Sequence, residues 1–272
     1  MLLKLFGEWQ AKVLVLIYLF FLIWWLILQF ASLNLTSTVD YFASLYFLIA
    51  FWGGLWGLKI SNRWGGYKSV LGKSIIFFSL GLFAQTFGQL AYSYFIVIRH
   101  IEVPYPSLGD IGYFGSIPLY ILGILYLAKL TGVKWGINSI GRKMQAVLLP
   151  LCMLCISYYF FLNGYIADMT KPLVVFLDFG YPLGQAIYIS LAVLTYLLSR
   201  SVLGGIMKMR ILFILFALVI QYMSDYTFLY QASRGVWHAG GINDFLYITA
   251  YFIMALSLLQ FESVYRTIKE HN

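Results

Sequence analysis

Eight apolar stretches, each long enough to cross a bilayer, decide what this chain can fold into. They lie near residues 13–33, 41–58, 74–98, 111–128, 144–163, 173–199, 211–232 and 245–261. A hydrocarbon core of about 30 Å needs about 20 apolar residues of helix. In lipid each span must satisfy its own backbone hydrogen bonds, which a helix does and an open strand does not. With 62% hydrophobic and 10% charged residues, a water-facing surface could not be covered, because soluble domains carry about 25% charged residues. The sequence therefore points to an all-α polytopic membrane bundle of eight transmembrane helices. Loops are short and no linker divides the chain, so residues 1–272 are expected to form one integral membrane domain with the lipid bilayer as its first partner.

The net charge of +8 suggests nucleic acid until its placement is read. Lys4, Lys12, Lys59, Arg63, Lys68, Lys73, Lys129, Lys134, Arg142, Lys143, Arg200, Lys208, Arg210, Arg266 and Lys269 flank the spans on one face. Arg99, Lys171 and Arg234 fall on the other, together with Asp40, Asp110, Asp178 and Asp244. Positive charge in short loops stays cytoplasmic. Both termini are then inside, the acidic face is outside, and the basic face suits anionic headgroups rather than nucleic acid. The first apolar stretch is too long for a signal peptide and no small-residue cleavage site follows it. Cys152 and Cys155 read as buried, inert thiols. With three His and no Cys/His cluster, neither a metal site nor another cofactor is expected.

Shifting the chain by 134–136 residues aligns its halves. Gln85 and Gln89 in span three meet Gln221 and Asp225 in span seven (221 − 85 = 136). Arg99 meets Arg234, and Asp110 and Tyr113 meet Asp244 and Tyr247 (244 − 110 = 134). Span six adds Asp178 and Tyr181, while span two offers only Asp40-Tyr41. Four helices per half is an even number, so repeats over residues 1–135 and 136–272 would share one orientation about an axis along the membrane normal, with a site between them. Chance alignment of aromatic-rich helices is the plain alternative.

Ser107 stands three residues before Asp110, a capping-box spacing, and Ser37 before Asp40 repeats it. Gly241 to Asp244 is a weaker version. Asp178 and Asp225 lie deeper in their spans, where an ionisable group costs about 2.5–3.5 kcal/mol and must find a partner. Arg99 and Arg234 are the nearby outer-face charges. Pro182 inside span six bends its helix beside Gly180 and opens either a cavity or a plain kink. His100 and His238 read as solvated loop residues. The candidate ligand-binding set is thus Gln85, Gln89, Asp110, Tyr113, Asp178, Tyr181, Gln221, Asp225, Asp244 and Tyr247, with no catalytic and no metal-binding residue among them. Most tyrosines need no further reason, since they belt membrane interfaces.

Pro106-Ser107-Leu108-Gly109-Asp110-x2-Tyr113, with Pro118-Leu119 beyond, resembles the PSxAD-x2-Y…YPL signature of multi-span sensor modules joined to bacterial diguanylate cyclase and phosphodiesterase (GGDEF/EAL) domains. Gly180-Tyr181-Pro182-Leu183-Gly184-Gln185 is similar to their later YPxGD stretch. Ser224-Asp225 and Asn243-Asp244-Phe245-Leu246-Tyr247-Ile248-Thr249-Ala250-Tyr251 resemble their last hairpin. The likeness covers roughly residues 75–262 and departs at Gly109 and Gln185, where that pattern has Ala and Asp. It implies signal sensing within a bacterial inner membrane. With no catalytic domain before Asn272, output would pass through the tail, residues 262–272, to a cytoplasmic or membrane protein partner.

Three functions fit these residues. The first is a stand-alone sensory module binding an unknown small molecule, cationic, polyol or aromatic, in an outward polar–aromatic pocket. The second is a secondary transporter, proton-coupled or not, for which parallel repeats and intramembrane acids suit alternating access. The third is a subunit of a membrane complex. An enzyme comes last, because paired carboxylates have no nucleophile–base pair beside them.

Overall fold

The computed structural model describes residues 8–30, 36–131, 140–199 and 207–270. Lys4, Lys134, Arg200 and the side chain of Ser37 lie outside the described residues. Within them the chain is a multi-pass, all-α membrane protein, with eight helical stretches apolar and long enough to span. The helices are α1 (Trp9–Phe30), α2 (Thr36–Leu45), α3 (Phe47–Arg63), α4 (Val70–Ser93), α5 (Leu108–Leu130), α6 (Ile140–Ser157), α7 (Pro172–Ser199), α8 (Lys208–Ser233) and α9 (Ile242–Glu270). One span, Thr38–Arg63, joins α2 to α3 through Tyr46, which keeps right-handed helical torsions at the joint. An even number of crossings returns the chain to the side on which α1 begins.

Most spans run past the limits read from hydropathy. The last reaches from Ile242 to Lys269 and the second from Thr38 to Arg63. Their polar ends stay helical because local chemistry supports them. Ser107 caps α5 by accepting from Gly109 N at 3.1 Å, and Asp110 Oδ2 accepts from Ser107 N at 2.7 Å, which completes a capping box. Ser69 caps α4 by accepting from Gly72 N at 2.8 Å. α2 includes Thr36 and Ser37, so Ser37, the cap expected for Asp40, lies inside the helix rather than ahead of it.

Small residues set the closest packing. On α5, Gly112 rests against Ala84 O and the Gly88 backbone of α4, leaving no room for a Cβ. The Tyr113 ring covers Gly88, Tyr120 covers Gly81, and Phe78 covers Gly123. On α3, Gly53 meets Ala255 of α9. Without a hydrophobic drive between helices in lipid, such close approach is what holds spans together. The helices pack as α4 on α5, α8 on α9, α3 on α9 and α5 on α7.

α1 and α6 lie at the periphery and turn large apolar side chains outward, among them Leu16, Phe20 and Ile23 of α1 and Val147 and Leu151 of α6. Cys152 and Cys155 share that outer surface of α6 and are exposed, contrary to the burial expected of them. In a membrane helix an apolar neighbourhood marks lipid as readily as it marks protein core.

Candidate functional site

The buried polar groups fall into an inner network and an outer cluster. Asp225 of α8 anchors the inner one, 8% exposed. Its Oδ1 accepts from Tyr247 of α9 at 3.0 Å and from Gln221 at 3.0 Å, one turn earlier on its own helix. Its Oδ2 accepts from Tyr188 of α7 at 3.0 Å. All three donors are neutral. A second group of contacts surrounds the glutamines of α4. Tyr113 donates to Gln89 Oε1 at 2.8 Å, and Gln89 donates to the carbonyl of Ala43. Tyr251 donates to Gln85 Oε1 at 2.9 Å, while Gln85 donates to Ser116 Oγ at 2.8 Å. Tyr247 and Tyr251 stack at 5.9 Å between centroids, so one face of α9 joins both groups.

Asp244 opens α9 and is 2% exposed. Gly240 has φ 75°, a left-handed torsion that suits glycine, and its N–H donates to Asp244 Oδ2 at 2.6 Å. Tyr46 donates to Asp244 Oδ1 at 3.3 Å. Asn243 beside it donates to Ser224 O at 2.7 Å and accepts from the Trp237 indole at 3.3 Å. From α1, Trp25 and Gln29 donate to the carbonyls of Gly241 and Gly240 at 3.1 and 2.7 Å.

The outer cluster is more open. Tyr181 donates to Asp110 Oδ1 at 2.7 Å. Asp178, half-buried on α7, accepts from Tyr105 at 2.7 Å and from Tyr165, both on loops. Those loop phenols are held protonated: burial comes first for Tyr105 and the Asp178 contact second, whereas the Asp178 contact comes first for Tyr165, which is pushed up to about 12. Asp168 in the same loop accepts from Thr170, which holds its carboxyl below the usual range.

Asp178 and Asp225 share no hydrogen-bond partner, so the two acids belong to different environments. Gln221, Asp225 and Tyr247 come together, as do Gln89 with Tyr113 and Asp110 with Tyr181; Asp178 stands with Tyr105 and Tyr165 instead. Arg99 and Arg234 pair with no described carboxylate; both are exposed, and Arg234 lies 4.2 Å over the Tyr230 ring. Gly180 is covered by Phe114 rather than lining a hollow, and the Pro182 carbonyl accepts from Ser157 at 3.1 Å and Tyr226 at 3.3 Å. A groove of about 470 Å³ does exist, but against α6 and α7 near Met144, Leu148, Cys152 and Leu197, among apolar side chains.

Three residues that sequence reading passed over prove structural, Tyr46, Tyr188 and Ser116, and so does Tyr251, which entered only through the hairpin resemblance. Tyr46 had a signal. It precedes Tyr181 by 135 residues (181 − 46), the offset that relates the other pairs. The bonds obey that offset too. Tyr113 to Gln89 matches Tyr247 to Asp225, and Tyr181 to Asp110 matches Tyr46 to Asp244. The second match is reciprocal, since each tyrosine reaches the aspartate of the other half. Likewise α3 packs on α9 as α7 packs on α5. Where Gln89 is neutral its counterpart Asp225 is acidic, and where Gly53 stands its counterpart is Tyr188 (188 − 53 = 135).

At the opposite end of α9 a charge cluster joins three helices. Glu262, 5% exposed, pairs with Arg63 of α3 and with Arg266 Nε at 3.0 Å, and Arg266 reaches Glu8 beside α1 at 3.2 Å. Trp64 donates to the Phe261 carbonyl at 3.2 Å. Compared with protein-family models, curated proteins and solved structures, the chain matches none of them.

Proposed function

We propose that this protein is a sensory module of a bacterial cytoplasmic membrane, which binds a small organic cation at its outer face and reports to a protein partner inside. The observation that carries the reading is the reach of α9. At one end Asp244 takes Tyr46 and Tyr247 takes Asp225; at the other, Glu262 and Arg266 hold the ion cluster with Arg63 and Glu8. A helix tied at both ends moves as a rod, so a change in outer contacts is felt at the inner end. The cation fits the outer chemistry: Asp178 is half-buried, Tyr105 is 51% exposed, and the Tyr165 and Phe179 rings meet edge to face beside the acid, 5.4 Å between centroids. Aromatic faces beside a carboxylate suit ammonium groups. The sequence resemblance to membrane sensor modules points the same way.

A proton-coupled carrier is the second reading, favoured by the reciprocal Tyr46–Asp244 and Tyr181–Asp110 contacts between halves. Spin labels at Tyr67→Cys and Ile268→Cys, both exposed positions in the native chain, separate the two in a Cys152→Ser/Cys155→Ser background. A sensor changes the label distance on adding choline, and Asp178→Asn abolishes the change. Choline uptake into proteoliposomes would instead establish the carrier. A distance unmoved by choline and by Asp178→Asn alike removes the sensor.

A further inference from the structure

Asp225 and Gln185 have complementary deficits. Asp225 is 8% exposed and receives its three hydrogen bonds from two phenols and one amide, so no cation offsets a negative charge on it there. A carboxylate buried without a cation is strongly disfavoured. Were it to carry a proton, that O–H would need an acceptor, and Oδ2, with a single donor, is the oxygen with room for it. Gln185 is 4% exposed, and its Oε1 is a buried acceptor that receives no hydrogen bond. It lies three residues before Tyr188 (188 − 185), the residue that reaches Oδ2. Residues three apart on a helix are neighbours on one face.

The same face of α7 leads outward. Tyr181, Gln185 and Tyr188 follow at helical spacing, and Tyr181 ends on Asp110, in the capping box at the outer start of α5. The other groups around Asp225 are also neutral. Tyr120 of α5 lies 6.2 Å from the Tyr188 ring, Tyr222 of α8 lies 6.4 Å from it, and Tyr251 of α9 stacks on Tyr247. Tyr226 adjoins Tyr222 at 4.1 Å.

We propose that Asp225 is a reversible proton site, reached from the outer face along Tyr181 and Gln185, with a bound water bridging Gln185 Oε1 and Asp225 Oδ2. On loading, an O–H bond forms at Oδ2 as one breaks on the bridging water, which regains its proton from the outer solution. On release the exchange runs backwards. The site goes beyond the sensory reading and holds for a sensor or a carrier alike.

Infrared difference spectra of the full-length protein in liposomes, taken between acidic and alkaline buffer, test it. The carboxylic-acid C=O band should vanish in Asp225→Asn. In Gln185→Leu it should move to higher frequency and exchange its proton for deuterium about tenfold more slowly, the scale of one lost hydrogen bond to the exchanging group. Gln185→Asn, which keeps an amide, should restore part of the rate and controls for folding. If Asp225→Asn does not fold, Asp225→Glu should shift the band and so assign it. A band unaffected by either Asp225 substitution, or exchange as fast in Gln185→Leu as in the native chain, overturns the proposal, whatever choline does to α9.

Discussion

Tyr46 and Asp244 meet at 3.3 Å across 198 residues of chain, and the contact repeats between Tyr181 and Asp110 at 2.7 Å. The two bonds are unequal in what else supports the acid. Asp110 keeps its capping interaction with Ser107, whereas Asp244 is more deeply buried and keeps the Gly240 N–H. Tyr46→Phe should therefore destabilise more than Tyr181→Phe, by about 1–3 kcal/mol against about 1 kcal/mol. Thermal or denaturant unfolding in detergent would show it, and equal losses would contradict the difference in burial.

Replacing Asp225 separates shape from charge. Asp225→Asn keeps one acceptor oxygen, enough for the Tyr247 and Gln221 bonds to Oδ1, and deprives only Tyr188 of its acceptor, so it should cost about 1–3 kcal/mol. Asp225→Leu leaves Tyr188, Tyr247 and Gln221 as donors without an acceptor, at about 1–3 kcal/mol each. Unfolding midpoints for the pair should differ widely; a Leu variant as stable as the Asn variant would mean the donors find other partners.

Two glycines on α5 should respond with opposite signs. Gly112 abuts the α4 backbone, while Gly115 has open space around its Cβ position. Gly112→Ala forces the helices apart and should destabilise by about 1–3 kcal/mol. Gly115→Ala should gain about 0.5–1 kcal/mol from helix propensity. The comparison is internal to one helix, so expression and detergent effects cancel.

The loop phenol Tyr165 offers a pH prediction. Its hydroxyl donates to Asp178, which pushes it up to about 12. The folded value is above the unfolded one, near 10. The contact is thus complete below about pH 10 and is lost as pH rises towards 12. Phenolate absorbance should show Tyr165, and with it Tyr105, moving to lower pH in Asp178→Asn. Tyr165→Phe should remove the Tyr165 component altogether.

At the inner end, Glu262→Gln removes the negative charge shared by Arg63 and Arg266 while keeping a carbonyl oxygen for them. Both cations are about half-exposed, so water screens the loss, to about 1–2 kcal/mol. Added salt should shrink the gap between variant and native chain. A gap constant from low to high salt would show that packing, not charge, holds Glu262.

The spans were legible because a run of about 20 apolar residues has few other uses. Their ends were not. Asn243, Asp244, Glu262 and Arg266 lower the local hydropathy, yet each is matched to a protein partner and the helix continues through them. The pairs Gln89 with Tyr113 and Asp225 with Tyr247 lay in the 134–136 register, and the capping box at Ser107 was plain from spacing. Tyr188 and Tyr251 were not, because 22 tyrosines share the same aromatic background. Facing direction was lost as well: Asp178 and Asp225 both look like buried span acids, but one meets loop phenols and the other the centre of the bundle.

The contacts of α1 bear on how the bundle is assembled. Tyr18 meets Thr249, Trp25 and Gln29 hold the Gly241 and Gly240 carbonyls, and Glu8 takes Arg266, across separations such as 231 residues. Every one of these partners is synthesised after the intervening spans have entered the bilayer. Phe21 and Trp24 can meet Phe42, and Gln10 can meet Trp52, as soon as α2 and α3 emerge, but Tyr18, Trp25 and Gln29 stay unclaimed in lipid until the start of α9 arrives, so that side of α1 closes last.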